Sequence, residues 1–268
     1  MTKTPCLSPT ASSLSDLRDQ LSLFAAHEVR EAREYYLHRL AELFEAHSAA
    51  WVISVLKNNG TEEDPSLDWS PRVLTKLRVD GSFTATLRAT NKPLADKELG
   101  VTTMGRLADA GSFHIYQLTD LADEASGVSS RRREFLLEMG LSDSMCGLVP
   151  VGTDIYVHVR VDRGAKQPIF NQEEAAAYAS ALQGLKWFFK QQVLGEGIFS
   201  AHTYLTNAER EVLLCLLQGD SKDVIAHNLS KSPHTISDAV KNIFKKCGVD
   251  SRPALTALWL GKGVRTVS

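Results

Sequence analysis

The sequence predicts two joined folds. An α+β domain, built on an antiparallel sheet with flanking helices, precedes an all-α tail of four short helices. Three observations carry this. Residues 154–163 alternate, with Ile155, Val157, Val159 and Val161 on one side and Tyr156, His158 and Arg160 on the other, which is the period of a strand. From Leu205 onward, apolar residues recur at helical spacing between cap residues and glycines. Charge divides the same way: residues 200–268 hold nine Lys and Arg against six Asp and Glu, while the whole chain holds 30 against 32. A basic tail on an acidic body suits a module that meets a polyanion.

The first 15 residues are rich in Ser, Thr and Pro and read as a disordered tail. From Asp16 to about His47, Leu17, Leu21, Phe24, Tyr36, Leu40, Leu43 and Phe44 recur at helical spacing, with room for a break near residue 27. Ala49–Leu56 reads as a strand ended by Asn58-Asn59-Gly60, followed by a polar loop through Asp64-Pro65 to Trp69-Ser70-Pro71. Residues 72–110 are expected to hold one or two helical pieces. Phe113–Leu118 alternates like a strand, and Ser129–Met139 reads as a helix stopped by Gly140. Met145–Val151 and Asp154–Arg163 form a hairpin across Gly152-Thr153. Asn171 and Glu174 make a capping box for one long helix to about Leu194, and Gly195 and Gly197 mark a linker. The expected domains are a tail over 1–15, a sensor or dimerisation domain over 16–196, and a DNA-binding domain over 197–268.

The tail carries the strongest local signals. Thr206 and Glu209 form a capping box, Val212, Leu213, Leu216 and Leu217 make a buried stripe, and Gly219 stops the helix. Ser221 caps a second helix with Val224, Ile225 and Leu229 inward. Ser232 caps a third, with Pro233 at its first position, where a missing N–H costs nothing. Ile236, Val240 and Ile243 form its inner face and Ser237, Asp238, Lys241 and Lys245 the opposite one. Gly248 ends it, and a fourth helix follows Ser251 with Leu255, Leu258 and Trp259 on one side.

These residues carry a resemblance. Leu205-Thr206, Glu209-Arg210-Glu211-Val212-Leu213, Gly219, Ser221-Lys222, Ile225-Ala226, Leu229, Ser232, Thr235-Ile236, Asn242-Ile243, Lys246, Gly248-Val249 and Ser251-Arg252 resemble the LuxR/GerE-type helix-turn-helix of bacterial transcription regulators. The resemblance implies that the third helix enters the major groove of double-stranded DNA and that the fourth tends to dimerise. It places Ser237, Asp238 and Lys241 near base edges, and Lys222, Ser232, His234, Thr235, Lys245 and Arg252 around them, largely toward phosphates. Ser237 stands where the family usually has Lys, and Ala239 where it has His. Asp238 is repelled by phosphates but can accept from a cytosine amino group, so an unusual operator preference is expected. The alternative is a degenerate helix-turn-helix that serves only dimerisation.

Phe170-Asn171-Gln172-Glu173-Glu174 ahead of an apolar helix resembles the end of GAF-type sensor domains, and Gly184-Leu185-Lys186-Trp187-Phe188 resembles regulators that join a GAF- or PAS-like front to such a tail. For a small effector in a sheet-lined pocket, the candidate residues are Trp51, Asp64, Trp69, Tyr156 and His158. One alternative is an acyl-homoserine lactone receptor. That reading needs a Trp, a Tyr four residues on and a later Asp-Pro; Trp51 and Asp64-Pro65 match, while Val55 replaces the Tyr.

Composition bounds the rest. With 43% hydrophobic and 23% charged residues the chain can build a core. Cys6, Cys146, Cys215 and Cys247 show no metal-ligand or disulfide spacing, so neither a metal nor a cofactor is expected. No apolar run reaches the roughly 18 residues of a membrane span, and the start lacks a signal-peptide pattern, which points to the cytoplasm. No nucleophile elbow or phosphate-binding loop is present in the sequence, so a non-enzymatic regulator acting as a homodimer is the expectation.

Overall fold

The computed structural model describes residues 9–56, 69–84, 86–88, 112–117, 138 and 140–262. The expected helix over 129–139 lies outside them, apart from residue 138. The chain divides into two compact units, one of residues 1–22 and 34–185 and one of 23–33 and 186–268. The second unit therefore gathers Lys186–Glu196 and a segment from the first fifty residues beside the expected 197–268.

In the first unit, helix α1 (Ala11–Ser22) starts at Thr10, whose hydroxyl accepts from the Ser13 amide at 3.2 Å. Leu14, Leu17 and Leu21 are its buried stripe. Residues 11–15 thus belong to a helix rather than to the expected disordered tail, because burial of Leu14 opposes the entropy that keeps polar termini loose. Helix α2 (Val29–Leu43) is separate, so the expected 16–47 helix is two, with the Ala25 amide bonded to the Glu28 carboxylate at 2.7 Å in the break.

Six antiparallel strands follow: β1 (Ser48–Leu56), β2 (Trp69–Leu77), β3 (Leu87–Arg88), β4 (His114–Gln117), β5 (Leu141–Pro150) and β6 (Ile155–Gly164). They stand in the order β3-β2-β1-β6-β5-β4. With their helices they form the antiparallel α+β fold expected of a GAF/PAS-like front. Strand β2 takes up the start of the 72–110 stretch; most of the rest of it, where one or two helical pieces are expected, lies outside the described residues. Pro71 hides the strand, since proline cannot donate to a ladder. The sheet accommodates it at a bulge: Ile53 pairs with Val73 and Ser54 with Pro71, leaving Arg72 as the extra residue.

The register gives the sheet two faces. Ala49, Trp51, Ile53 and Val55 share one with Val157, Val159 and Val161. Trp51 is fully buried there and meets the Tyr36 ring of α2 edge-on, centroids 6.0 Å apart. Helix α3 (Gln172–Gln183) closes the same face: the Tyr178 hydroxyl donates to the Val159 carbonyl at 2.8 Å, and Leu182 lies against Gly147. Buried ion pairing fixes where α3 begins. Glu174 completes the capping box with Asn171 and also receives the Arg163 guanidinium, which lies 4.3 Å over the Phe170 ring. The expected long helix from 172 to about 194 stops at Gly184. Arg18 donates to the Ser180 carbonyl at 2.6 Å, and a Cβ on Gly184 would come within 2.7 Å of the Arg18 Nε.

The second unit contains α4 (Lys186–Gly195), α5 (Asn207–Gln218), α6 (Lys222–Asn228), α7 (Pro233–Cys247) and α8 (Arg252–Trp259). Thr206, Ser221, Ser232 and Ser251 cap the last four as expected, each side chain accepting from the amide three residues on. Leu205, Val212, Leu213, Leu216, Ile225, Ile236, Val240, Ile243 and Leu255 form one core. Val29, Leu194 and Trp259 form another. Gly219 ends α5 at φ 108° with nothing within 4 Å of an added Cβ, so only backbone strain opposes a side chain there. Gly219→Ala is expected to cost about 1–2 kcal/mol, read as a lowered denaturation midpoint.

Candidate nucleic-acid interface

Helix α7 is held by its inner residues and free on its outer ones. Ile236, Val240 and Ile243 are buried in the core shared with α5 and α6. That leaves His234, Asp238, Lys241 and Lys245, at i, i+4, i+7 and i+11, as one outward stripe. A stripe of this kind on a capped helix, preceded by a short helix and a turn, has the shape needed to enter a DNA groove.

Asp238 sits in the middle of that stripe with two partners. The His234 Nδ1 lies 3.2 Å from one carboxylate oxygen and the Lys241 Nζ 3.3 Å from the other. The acid therefore offsets neighbouring positive charge in the free protein. All three groups are solvent-exposed, so these pairs are weak and open to exchange for nucleic-acid partners.

The other sequence-chosen residues separate by role. Ser232 and Thr235 are exposed at the start of α7, where the Thr235 amide donates to the Ser232 hydroxyl at 3.0 Å and the two hydroxyls lie 2.8 Å apart. Ser237 flanks the outward stripe, half-exposed, and Lys222 is exposed at the first position of α6. Arg252, expected at a phosphate, is half-buried and bonded within the unit. Its guanidinium donates to the Leu216 carbonyl and, at 2.8 Å, to that of Asp220, so it satisfies carbonyls that the end of α5 leaves open. Asn242, named among the residues of the resemblance but not as a DNA contact, is exposed beside Lys241 on the flank of the stripe.

Lys246 also turns inward, to Glu209 at 2.6 Å. Partial burial raises the Glu209 carboxyl, but the bonds from Lys246 and Thr206 outweigh it and hold the group below its ordinary value. A depressed folded-state value stabilises the folded chain above the unfolded value, and the contribution is lost as pH falls through the folded one. Acidification is thus expected to loosen the start of α5, measurable as a smaller amide-exchange protection factor at Glu209 relative to the intrinsic rate at each pH.

The same unit holds a charge cluster that no sequence pattern announced. The Glu196 carboxylate is fully buried between Arg33 Nη2 at 2.7 Å and Arg210 Nε at 3.1 Å. Arg210 Nε also donates to the Gly195 carbonyl at 2.9 Å.

In the first unit, the effector candidates are divided by the sheet. Trp69 and Tyr156 meet edge-on, centroids 4.9 Å apart, and Tyr156 and His158 follow along β6, all buried on the face opposite the Val157–Val161 row. Trp51 belongs to the other face, against Tyr36. Asp64 lies outside the described residues. The strand register, with side chains alternating between faces, is what separates Trp51 from the rest. Cys146 and Arg160 are neighbours on the Tyr156 face. Burial pushes the Cys146 thiol up to about 11. Burial opposes the charge on Arg160, but the Asp162 carboxylate 3.0 Å away more than offsets it and holds the guanidinium above its ordinary value.

Among the described residues, no group of three or more His, Cys, Asp or Glu could hold a metal ion, and no helix is long and apolar enough to cross a membrane.

Comparison with known families matches residues 203–259 to the bacterial regulatory proteins of the luxR family. No curated protein sequence matches the chain. Among solved structures, SdiA in complex with octanoyl-rac-glycerol is similar at 17% identity and a TM-score of 0.40, covering 98% of each chain. Escherichia coli SdiA gives 16% and 0.38, over 95% of this chain and 99% of that one. The VqsR LBD domain from Pseudomonas aeruginosa gives 14% and 0.40, over 68% of this chain and 95% of that one. At these scores the likenesses assign no ligand or partner here.

Proposed function

From a luxR-family DNA-binding domain at residues 203–259, which makes this chain a DNA-binding regulator, we propose that it acts as a cytoplasmic homodimer whose front unit answers a small effector. The outward stripe His234-Asp238-Lys241-Lys245 carries the DNA reading. It is exposed, of mixed polarity, and mounted on a helix whose opposite face is locked in the core. Lys241 and Asp238 would read base edges, while Lys222, Lys245 and the Ser232–Thr235 cap would hold phosphates.

The effector reading rests on the Trp69–Tyr156–His158 face of the sheet. Aromatic rings with polar tips, buried beside Cys146 and Leu148, suit a small ligand with an apolar body and a few polar groups. An acyl-homoserine lactone is not the ligand this arrangement favours. Trp51, the first residue of that motif, packs on the helix-covered face instead.

The test is DNA selection on the purified full chain. Two modules related by a two-fold axis are expected to select an inverted repeat with half-sites about one DNA turn apart. Selection of single half-sites by a monomer in sedimentation would refute the homodimer. Failure to select any sequence would leave the helices with an interaction role alone.

A further inference from the structure

One end of the effector face is charged where the rest is aromatic. Ala50 in β1 is paired on one side with Lys76 of β2 and on the other with Arg160 of β6. Residues directly opposite in a ladder share a face, and neighbouring strands lie about 4.8 Å apart. Lys76 and Arg160 therefore flank the Ala50 methyl group, about 10 Å from each other at the backbone, and Ala50 itself is buried. A cavity of about 470 Å³ occupies this end of the sheet, bordered by Lys76, Arg160, His47, Arg78, Thr84 and Asp162 among others.

The acids at this cavity already have partners. Asp162 accepts from the Ser48 hydroxyl at 2.9 Å and the Ser144 hydroxyl at 2.7 Å, and faces the Arg160 Nε at 3.0 Å. Asp80 accepts from the Ser82 amide at 2.9 Å and from its hydroxyl at 2.6 Å, closing a turn. Asp162 fixes the Arg160 guanidinium in place, as a preorganised anion site requires, and Lys76 and Arg78 add positive charge at the rim. The Thr84 hydroxyl on the same border is taken up by the Lys76 main chain, accepting from its amide at 3.1 Å and donating to its carbonyl at 3.4 Å.

We propose that this cavity seats the oxyanion end, carboxylate or phosphate, of the small effector, over Ala50 between Lys76 and Arg160. The apolar body then runs along the face toward Tyr156 and Trp69. The assignment rests on the effector reading above and names its ligand class. An anionic ligand gains attraction from Lys76 and Arg160 that a neutral one does not, so the site discriminates by charge as well as shape.

The experiment titrates the full chain, by calorimetry and by amide NMR shifts at constant ionic strength, with three probes: benzoate, benzamide and inorganic phosphate. Benzoate is expected to bind at least ten-fold more tightly than benzamide, with shifts at Ala50, Lys76 and Arg160. Lys76→Gln, a partly exposed position, is expected to abolish that preference; Arg160→Gln tests the same point but risks the fold through Asp162. Phosphate binding with the same shifts assigns a phosphate end, and its failure beside benzoate assigns a carboxylate. Equal binding of benzoate and benzamide near Tyr156 would overturn the anion site while sparing the effector face. A benzoate preference that persists in Lys76→Gln would overturn it too. No binding of any probe would reject both the anion site and the effector reading.

Discussion

Glu196→Ala is expected to cost about 3–5 kcal/mol of the stability of the helical unit, the range seen when one partner of a buried ion pair is removed. The carboxylate has no exposed surface, and neither has the Arg33 side chain that faces it. Removing the acid leaves the Arg33 and Arg210 guanidiniums close together with their shared counter-charge gone. The loss includes the desolvation cost of those two charges as well as the bonds. Denaturant unfolding followed by far-UV circular dichroism reads this directly. Glu196→Gln keeps the shape and some of the hydrogen bonding, so it should fall between wild type and Ala. A double change, Glu196→Ala with Arg33→Met, should recover part of the loss, since two apolar groups can replace a buried pair at little net cost. A cost under about 1 kcal/mol for Glu196→Ala would mean that water reaches the cluster and the pair is of the weak, solvated kind.

This cluster also marks where sequence reading ends. The four caps of the DNA-binding unit were legible because a Ser or Thr at an N-cap, an αL glycine and a Pro at N1 act over three or four residues. Strand β6 and its hairpin with β5 were legible because alternation is local too. Strand β2 was not, because Pro71 is tolerated only through a bulge against β1, a partner far away in the chain. Arg33 and Glu196 lie 163 residues apart, and a charged residue in a helical pattern reads as a solvated face until its partner is known. The same limit governs the proposed effector face. Trp51 and Trp69 look alike in the sequence, and only the register of β1 against β2 and β6 sends them to opposite faces. Arg252 was assigned to phosphate from its place in the motif, and its bonds to the open carbonyls of α5, 32 and 36 residues back in the chain, had no local signal.

At the DNA surface, Asp238→Ala and Lys245→Ala should separate specificity from affinity. Lys245 is exposed, with a charge that points outward from α7, so its removal should weaken binding to every sequence and reduce the salt slope by about 1. Asp238 should behave in the opposite way. As an acid it repels phosphates, and through its 3.3 Å approach to Lys241 it offsets a cation on the same stripe. Alanine there removes the repulsion and releases Lys241, so binding to random DNA should tighten. At the same time the acceptor for a cytosine amino group is gone, and the preference at that base pair should fall by about 1–3 kcal/mol, or roughly five- to 150-fold. The readout is parallel DNA selection on wild type and both variants at two salt concentrations. A changed preferred base with Asp238→Ala, beside a uniform loss with Lys245→Ala, places α7 in the groove with Asp238 toward the bases. If both variants weaken all sequences alike, Asp238 faces away from the base edges, and Asn242 and Ser237 become the residues to test, since they flank the same stripe and carry the remaining polar groups suited to bidentate or single hydrogen bonds with bases.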